Sequence, residues 1–374
     1  RTPERTSPVD ESRTVPINAG GCEAARGSMR SRSTNRITID NTTPLPPYVG
    51  ESRPCASIPP LIAGQSDLSE QSSIMNSIER DTRMNRFLSF LVFCAASASA
   101  VATAQAPPRV DRDIAYAEPR NERQLLDVYA PPTGSQLPVV LWVHGGGWMQ
   151  GSKSAVDQKP SAFIEKGFVF VPMNYRFVPQ VTMDTIVRDV AKSAGWVHAN
   201  IARYGGDPNR IFIMGHSAGA QLAALLCSDS RYIEAEGVPR TSIKGCVPVD
   251  GDTYDVPLQV ATATARRKSL NQPPPKMGHP EKFGNLERQR ELSAVNHIAP
   301  NRGIPPFLVL HVADHTDTSA QAYRLWAALD QAGVPARVFG AEGTNHVKLD
   351  RDLGVAGDPA TKALFDFTAE LLRP

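Results

Sequence analysis

Short apolar runs alternate with stretches of helical periodicity along the chain from residue 107 onward. In the helical stretches apolar side chains recur every three or four residues, whereas the runs are continuous and rich in β-branched residues. Continuous runs of this kind are typical of strands that are buried on both faces of a parallel sheet. The predicted strands are 139–143, 168–171, 211–214, 246–249, 305–312 and 336–339, and the predicted helices are 186–201, 218–226, 322–332 and 361–372.

Two further segments, 112–116 and 124–129, are predicted to form a leading antiparallel pair of strands. The alternation that follows them predicts an α/β protein with a mostly parallel, eight-stranded sheet flanked by helices and joined by right-handed crossovers. Segment 252–300 interrupts the alternation, because it has no strand pattern and contains the run Pro273-Pro274-Pro275. We predict that it is a small lid inserted after the sixth strand, with a short helix at 286–292.

The apolar run 211–214 leads directly into Gly215-His216-Ser217-Ala218-Gly219, and a strong helix-forming sequence follows. A strand that turns this sharply into a helix needs glycine where a Cβ atom would clash. The turn lifts the hydroxyl of Ser217 above the sheet edge, next to the free N–H groups of the helix N-terminus. Ser217 is therefore the candidate nucleophile.

A second glycine motif follows the predicted strand 139–143, where the residues from His144 to Trp148 read His-Gly-Gly-Gly-Trp. Consecutive glycines allow backbone N–H groups to approach an oxygen closely. Such donors stabilise the negative charge that develops on a carbonyl oxygen during acyl transfer, and losing one costs about 3 kcal/mol. The motif therefore predicts an oxyanion-stabilising loop.

A candidate base and a candidate acid follow the last two predicted strands. His346 comes after strand 336–339, and Asp314 comes after strand 305–312. The chain order Ser217, Asp314, His346 is the order known for serine hydrolases of doubly wound topology. In this interpretation His346 removes the proton of Ser217, and Asp314 fixes the imidazole tautomer.

These ordered motifs resemble the α/β-hydrolase superfamily, and more narrowly its His-Gly-Gly-Gly esterase branch, the hormone-sensitive-lipase-like and feruloyl-esterase-like carboxylesterases. The resemblance runs from about Tyr116 to the C-terminus. It implies an α/β-hydrolase fold and the catalytic set Ser217, Asp314 and His346. It also implies that the oxyanion hole is formed by the amides of Gly146, Gly147 and Ala218.

The acid is the position at which this chain departs from the family pattern. The family often reads His-Gly-x-x-Asp there, whereas His311-Val312-Ala313-Asp314 is one residue shorter. Asp314 is our first choice, and Asp317 competes with it. Some relatives have the acid after the sixth strand instead, which adds three further candidates. These are Asp250, Asp252 and Asp255.

The composition is that of an ordinary globular enzyme. Of 374 residues, 41% are hydrophobic and 21% are charged, and the formal net charge is +2. This balance gives no reason to expect nucleic acid as a partner, and the resemblance implies a small-molecule ester. The histidines show no metal-ligand spacing, and no phosphate-binding or dinucleotide motif is present, so we expect neither a metal nor a cofactor.

The N-terminal third of the chain has a different character. Residues 1–83 are rich in Ser, Thr, Pro and Arg, so we expect them to be disordered and not to belong to the natural protein. Residues 84–104 combine a basic start at Met84, a short apolar core and an Ala-x-Ala site, as in a secretory signal peptide. The apolar run is too short for a stable membrane anchor. These features predict a secreted or periplasmic protein whose catalytic domain is 107–374.

Export affects how the cysteines are interpreted. Cys22, Cys55 and Cys94 lie in segments that we expect to be absent from the mature protein, which leaves Cys227 and Cys246. A disulfide between these two is compatible with an oxidising compartment, and two separately buried thiols are the alternative.

The predicted function is hydrolysis of short-acyl or small aryl carboxylic esters by an exported serine carboxylesterase. Two alternatives use the same site: an arylformamidase, and a feruloyl or acetylxylan esterase that acts on plant cell-wall esters. A catalytically inactive binding protein on a hydrolase scaffold is a third alternative, which the presence of Ser217, His346 and Asp314 argues against. The sequence makes no prediction of the oligomeric state.

Overall fold

The computed structural model describes residues 107–373, which form one eight-stranded sheet. The strands lie in the order β1-β2-β4-β3-β5-β6-β7-β8. The pairs β1/β2 and β2/β4 are antiparallel, and all other neighbouring pairs are parallel. The predicted α/β fold is confirmed. The strands are β1 (Arg109–Ala115), β2 (Leu125–Ala130), β3 (Leu137–Val143), β4 (Val169–Met173), β5 (Gly206–His216), β6 (Ile243–Val249), β7 (Phe307–Val312) and β8 (Ala336–Ala341).

Helices cover both faces of this sheet. They are α1 (Lys159–Glu165), α2 (Met183–Asn200), α3 (Ala218–Ser228), α4 (Arg231–Glu234), α5 (Val256–Ser269), α6 (His279–Phe283), α7 (Leu286–Glu291), α8 (Thr316–Gln331), α9 (His346–Asp352) and α10 (Pro359–Leu371). Three short 3-10 helices also occur, at Ile201–Tyr204, Arg240–Ser242 and Ala294–His297. No helix within residues 107–373 has both the length and the apolar character needed to cross a membrane.

The central strand β3 shows why its sequence is continuously apolar. Its alternate side chains Val139, Leu141 and Val143 belong to the core that contains α2, α3 and α8. Val140 and Trp142 belong to the opposite core, which contains α1, α9 and α10. Because both faces are covered by helices, neither set of alternate positions tolerates polar residues.

The 252–300 segment contributes α5, α6, α7 and a 3-10 helix between β6 and β7. Val256, Phe283 and Leu292 are buried in the same core as α2 and α3. The outer surface of the segment exposes Leu258 and Leu270, at 44% and 58%. The segment is therefore joined to the main core through a few apolar side chains.

Several element bounds differ from the prediction. β5 begins at Gly206, five residues before the predicted strand, and β8 ends at Ala341 rather than at residue 339. Neither α1 nor α9 was predicted, because both are short and half-exposed. Cys227 and Cys246 are buried free thiols, so they form no disulfide. The predictions for residues 1–83 and for the signal peptide at 84–104 lie outside the described residues.

Candidate active site

Ser217 lies at the turn between β5 and α3, and its backbone is strained. Its φ of +55° and ψ of −118° fall in a region that residues with side chains rarely adopt. The backbone N–H of Ser217 donates to the carbonyl of Val249 at 2.8 Å, which fastens the turn to β6. A Cβ atom on Gly219 would stand 2.1 Å from the carbonyl oxygen of Val143, so only glycine fits there. The turn has the geometry that the motif predicts.

His346 contacts the Ser217 hydroxyl. It is the first residue of α9, and its Nε2 lies 3.0 Å from Ser217 Oγ. The side chain of Asn345 caps α9 by accepting a hydrogen bond from the Lys348 amide at 2.9 Å, which fixes where the helix begins. The structure thus brings together two residues that are 129 positions apart in the sequence.

Asp250 is the acid that contacts His346, so the prediction of Asp314 is wrong. His346 Nδ1 lies 2.6 Å from Asp250 Oδ2, and the Asp250 side chain is fully buried. The other Asp250 oxygen accepts a hydrogen bond from the Val312 amide at 2.9 Å. A carboxylate only accepts hydrogen bonds, so Nδ1 bears the imidazole proton and Nε2 is left to accept from Ser217.

The competing carboxylates have other surroundings. Asp314 is exposed in the turn between β7 and α8. Asp317 pairs with Arg266 of α5. Asp255 caps α5 and pairs with Arg324 at 3.0 Å, and Asp252 lies 3.3 Å from Gln259 Nε2. Asp250 reaches His346 because it follows β6 directly, with a φ of +52° and its own amide bonded to Leu310 of β7.

The pKa values of the contacting pair are shifted in the directions that a base and its acid require. The hydrogen bond to Asp250 raises the pKa of His346 above its ordinary value, against the opposing effect of burial. Burial disfavours the charged form of Asp250, but hydrogen bonds from His346, Thr318 and Val312 outweigh it and lower the pKa of Asp250. Asp250 therefore stays ionised while His346 binds and releases a proton.

The glycine loop after β3 lies beside Ser217. Gly146 and Gly147 have φ values of +115° and +60°, which favour glycine. The amides of Gly146, Gly147 and Ala218 donate to no backbone carbonyl within residues 107–373. Their role as an oxyanion hole stays a prediction from the resemblance.

The loop is held in place by buried side chains. The Tyr175 hydroxyl donates to the carbonyl of His144 at 3.0 Å, and the two rings stack with their centroids 4.3 Å apart. Trp148 Nε1 donates to Gln221 of α3 at 3.2 Å. These contacts fix the glycine loop relative to both β4 and the helix that follows Ser217.

A second row of polar residues, which was not predicted from the sequence, supports His346. His216 Nε2 donates to the His346 carbonyl at 3.0 Å, and burial lowers the pKa of His216 to about 4. His216 Nδ1 lies 3.6 Å from Asp350, which pairs with the fully buried Lys159 at 2.9 Å. The sequence gives no local sign of this row, because Lys159 and Asp350 are 191 positions apart. Only a prediction that position 159 is buried would have indicated that its lysine needs a partner.

Among residues 107–373, donor atoms of Asp229, Glu291 and His297 all lie within 4.8 Å of one another. Arg231 donates to the two carboxylates at 2.6 Å and 2.7 Å. The group lies beyond the C-terminal end of α3, whereas Ser217 precedes the N-terminal end of that helix. A metal ion there would have to compete with the Arg231 guanidinium for the same oxygens.

Comparison with known proteins supports an esterase relationship. The chain is 30% identical over 263 residues to the esterase LipQ of Mycobacterium tuberculosis, covering 68% of this chain and 61% of LipQ. It is 38% identical over 131 residues to a probable isoprenylcysteine alpha-carbonyl methylesterase, ICMEL2, of Arabidopsis thaliana, covering 34% of this chain and 30% of that protein. The chain thus spans less than two thirds of the length of these curated relatives.

Solved structures share the fold. A truncated carbohydrate esterase from gut microbiota matches with a TM-score of 0.58 and 19% identity, over 72% of this chain and 98% of that chain. Esterase B from Lactobacillus rhamnosis matches with a TM-score of 0.57 and 18% identity, over 77% of this chain and 96% of that chain.

A family model described as BD-FAE matches residues 126–329, which is more than half of the chain. The matched region contains the glycine loop, Ser217, Asp250 and the whole 252–300 segment, and it ends within α8. The resemblance to the α/β-hydrolase superfamily and its esterase branch is confirmed. The chain belongs to the BD-FAE family.

Proposed function

We propose that the protein is an exported serine carboxylesterase that hydrolyses short-acyl or small aryl esters through Ser217, His346 and Asp250. The observation on which the proposal rests is the continuous row of contacts from Ser217 Oγ to His346 Nε2 at 3.0 Å and from His346 Nδ1 to Asp250 at 2.6 Å. A nucleophile, a base and an orienting acid in this order are what acyl transfer through a serine requires.

In the first step His346 Nε2 takes the proton of Ser217 as Oγ bonds to the ester carbonyl carbon. The carbonyl oxygen becomes an oxyanion, which the amides of Gly146, Gly147 and Ala218 stabilise by donating hydrogen bonds. Asp250 stabilises the imidazolium that forms. The C–O bond to the alcohol then breaks, and His346 returns its proton to the departing oxygen.

In the second step water replaces the alcohol. His346 takes a proton from the water as its oxygen attacks the acyl carbon, and the same amides hold the second oxyanion. The bond between Ser217 Oγ and the acyl carbon breaks, and His346 returns the proton to Ser217. The products are a carboxylic acid and the free enzyme.

The exposure of His346, the proposed base, supports the proposal that the substrates are small esters. The His346 side chain is 39% exposed, so solvent reaches the reacting atoms directly. The 252–300 segment lies beside the glycine loop, because its Phe283 packs against Trp148, and in this proposal it forms a partial lid. Methyl esters are included among the substrates to be tested because one relative is named a methylesterase.

The test is a Ser217→Ala variant assayed on 4-nitrophenyl esters of graded acyl length, on methyl esters and on an arylformamide. We expect wild-type hydrolysis to be fastest for short acyl esters and the variant to lose nearly all activity while unfolding at the same temperature. A fluorophosphonate probe should label the wild type and a Ser161→Ala control, but not Ser217→Ala. Substantial activity in Ser217→Ala would disprove the mechanism, and faster formamide turnover would favour the amidase alternative.

Export is supported by the basic, apolar and Ala-x-Ala pattern of residues 84–104. Expression from Met84 in a bacterial host should release a periplasmic or secreted product that begins after Ala104. Intact-mass analysis of that product tests the proposal, and a product that retains residues 84–104 in the cytoplasmic fraction would contradict it.

A further inference from the structure

Lys282 lies over the glycine loop of the active site. It belongs to α6 of the 252–300 segment, and its Nζ lies 3.7 Å from the point where a Cβ atom on Gly147 would stand. The same Nζ is 5.3 Å from the centre of the Trp148 ring. Phe283 holds α6 there by packing edge-on against Trp148, with ring centres 4.9 Å apart. A cation thus lies next to Gly147, one of the residues whose amides are proposed to stabilise the oxyanion.

No carboxylate within residues 107–373 forms an ion pair with Lys282. Glu281, its neighbour, is engaged by the Gly278 amide at 2.8 Å. Asp252 lies closer to His279 and Gln259, at 3.8 Å and 3.3 Å. Burial lowers the pKa of Lys282, and the charges of Asp252 and Glu281 oppose this shift only in part.

Lys282 also lines a cavity of about 590 Å³ within the 252–300 segment. Val260, Met277 and three prolines give the cavity an apolar wall. Its charged lining residues are Arg267, Lys268, Lys282 and the single acid Glu281. Cations therefore outnumber acids, in a space that would accept an apolar chain ending in a negative group.

We propose that Lys282 and this cavity form a subsite for a carboxylate on the ester substrate, borne by either its acyl or its alcohol part. The inference rests on the proposed ester hydrolysis and narrows its substrate class to carboxylate-bearing esters. A lysine ammonium is a compact charge that binds a carboxylate without demanding bidentate geometry. In the proposed mechanism the backbone amides of Gly146, Gly147 and Ala218 serve the developing oxyanion. None of these residues lines the cavity, which assigns Lys282 to a more distant part of the substrate.

The test compares two matched pairs of esters, each with a charged and a neutral member. On the acyl side the pair is mono(4-nitrophenyl) adipate and 4-nitrophenyl hexanoate. On the alcohol side it is 4-acetoxybenzoate and its methyl ester. The measured quantity is the ratio of kcat/KM for the charged member to that for the neutral member, which does not depend on how much of a preparation is folded.

In Lys282→Met we expect this ratio to fall at least about tenfold for one of the pairs, mainly through KM, because a charge-assisted hydrogen bond is lost. Lys282→Arg should retain most of the ratio. Lys276→Met removes the same charge from an exposed position outside the cavity, so it should leave kcat/KM unchanged for both members of each pair.

A ratio that stays within twofold of wild type on both pairs would overturn the inference, even if Lys282→Met slows all four esters equally. Wild-type hydrolysis of the neutral esters would then leave the proposed function standing. If the wild type cleaves none of the four esters, the proposed function fails and the subsite fails with it. A Lys276→Met ratio that falls as far as that of Lys282→Met would also overturn the inference, because a general charge effect would then explain it.

Discussion

Ser217 contacts His346 and His346 contacts Asp250, each through one hydrogen bond, so the proposed role of Asp250 as the acid can be tested by removing its charge. Asp250→Asn keeps the shape of the side chain but can present an N–H to His346 Nδ1, which then has to become the acceptor. The proton moves to Nε2, where the imidazole no longer accepts the proton of Ser217. We expect kcat to fall on the order of 10³- to 10⁴-fold, measured on a 4-nitrophenyl ester.

Asp314→Asn is the matched control. Asp314 is exposed and makes no contact with His346, so this variant should keep kcat within about twofold of wild type. If kcat fell as far in Asp314→Asn as in Asp250→Asn, Asp314 would be the acid, as the sequence favoured.

The pH dependence of activity follows from the same pair of residues. Since the pKa of His346 is raised, the neutral base is lost as the pH falls through a value above about 6.5. Asp250 remains ionised there because its pKa is lowered, and the pKa values of His144 and His216 are about 4. We expect one acidic limb in the profile of kcat/KM, with its midpoint above 6.5. A midpoint near 4 would show that a group other than His346 controls the rate.

At the scale of the element, the contact between β3 and α3 decides whether the nucleophile turn can form. Alanine at position 219 should favour the helix by up to about 1 kcal/mol on propensity alone. Its Cβ atom, however, would stand 2.1 Å from the Val143 carbonyl oxygen and 2.6 Å from that of His144. Sterics should prevail, so we expect Gly219→Ala to lose about 3 kcal/mol of unfolding free energy in urea and to lose most activity.

Gly167→Ala separates this steric effect from backbone strain. Gly167 has a φ of +77°, and no atom lies within 4 Å of the position of its Cβ atom. Its replacement should therefore cost only about 1–2 kcal/mol and leave activity unchanged. Equal losses in the two variants would mean that the close approach of β3 to α3 contributes nothing to stability.

At the scale of the whole molecule, the features that could be predicted from the sequence are those with a local pattern. Strands buried on both faces are almost entirely apolar, so β3, β4 and β7 could be located directly in the sequence. The edge strand β8 is only partly buried and has a weaker apolar pattern. Ser217 belongs to a turn motif, and His346 follows the last strand. Asp250 and Asp314 follow adjacent strands at the same sheet edge, and only the local backbone at Asp250, with its φ of +52°, decides between them. Lys282 approaches Gly147 through tertiary packing alone, which no local pattern records.

The 252–300 segment is buried where it joins the main core and exposed at its far end. This difference predicts where the folded domain is first cleaved. All seven residues from Leu270 to Lys276 are exposed, and they contain neither helix nor strand. Val256 on one side of this stretch and Phe283 and Leu292 on the other are buried in the main core. Cleavage requires local unfolding, which costs least where few buried contacts are lost.

Limited trypsin digestion should therefore make its first cut within residues 107–373 at Lys268 or Lys276. The two fragments should remain associated on a sizing column, because the buried side chains on both sides still pack into one core. Lys276→Gln should move the first cut to Lys268 and slow it, since Lys268 lies within α5 and its cleavage has to unwind the end of that helix. A first cut at Lys348 or Arg351 of α9 would instead identify the helix that carries His346 as the least stable part of the domain.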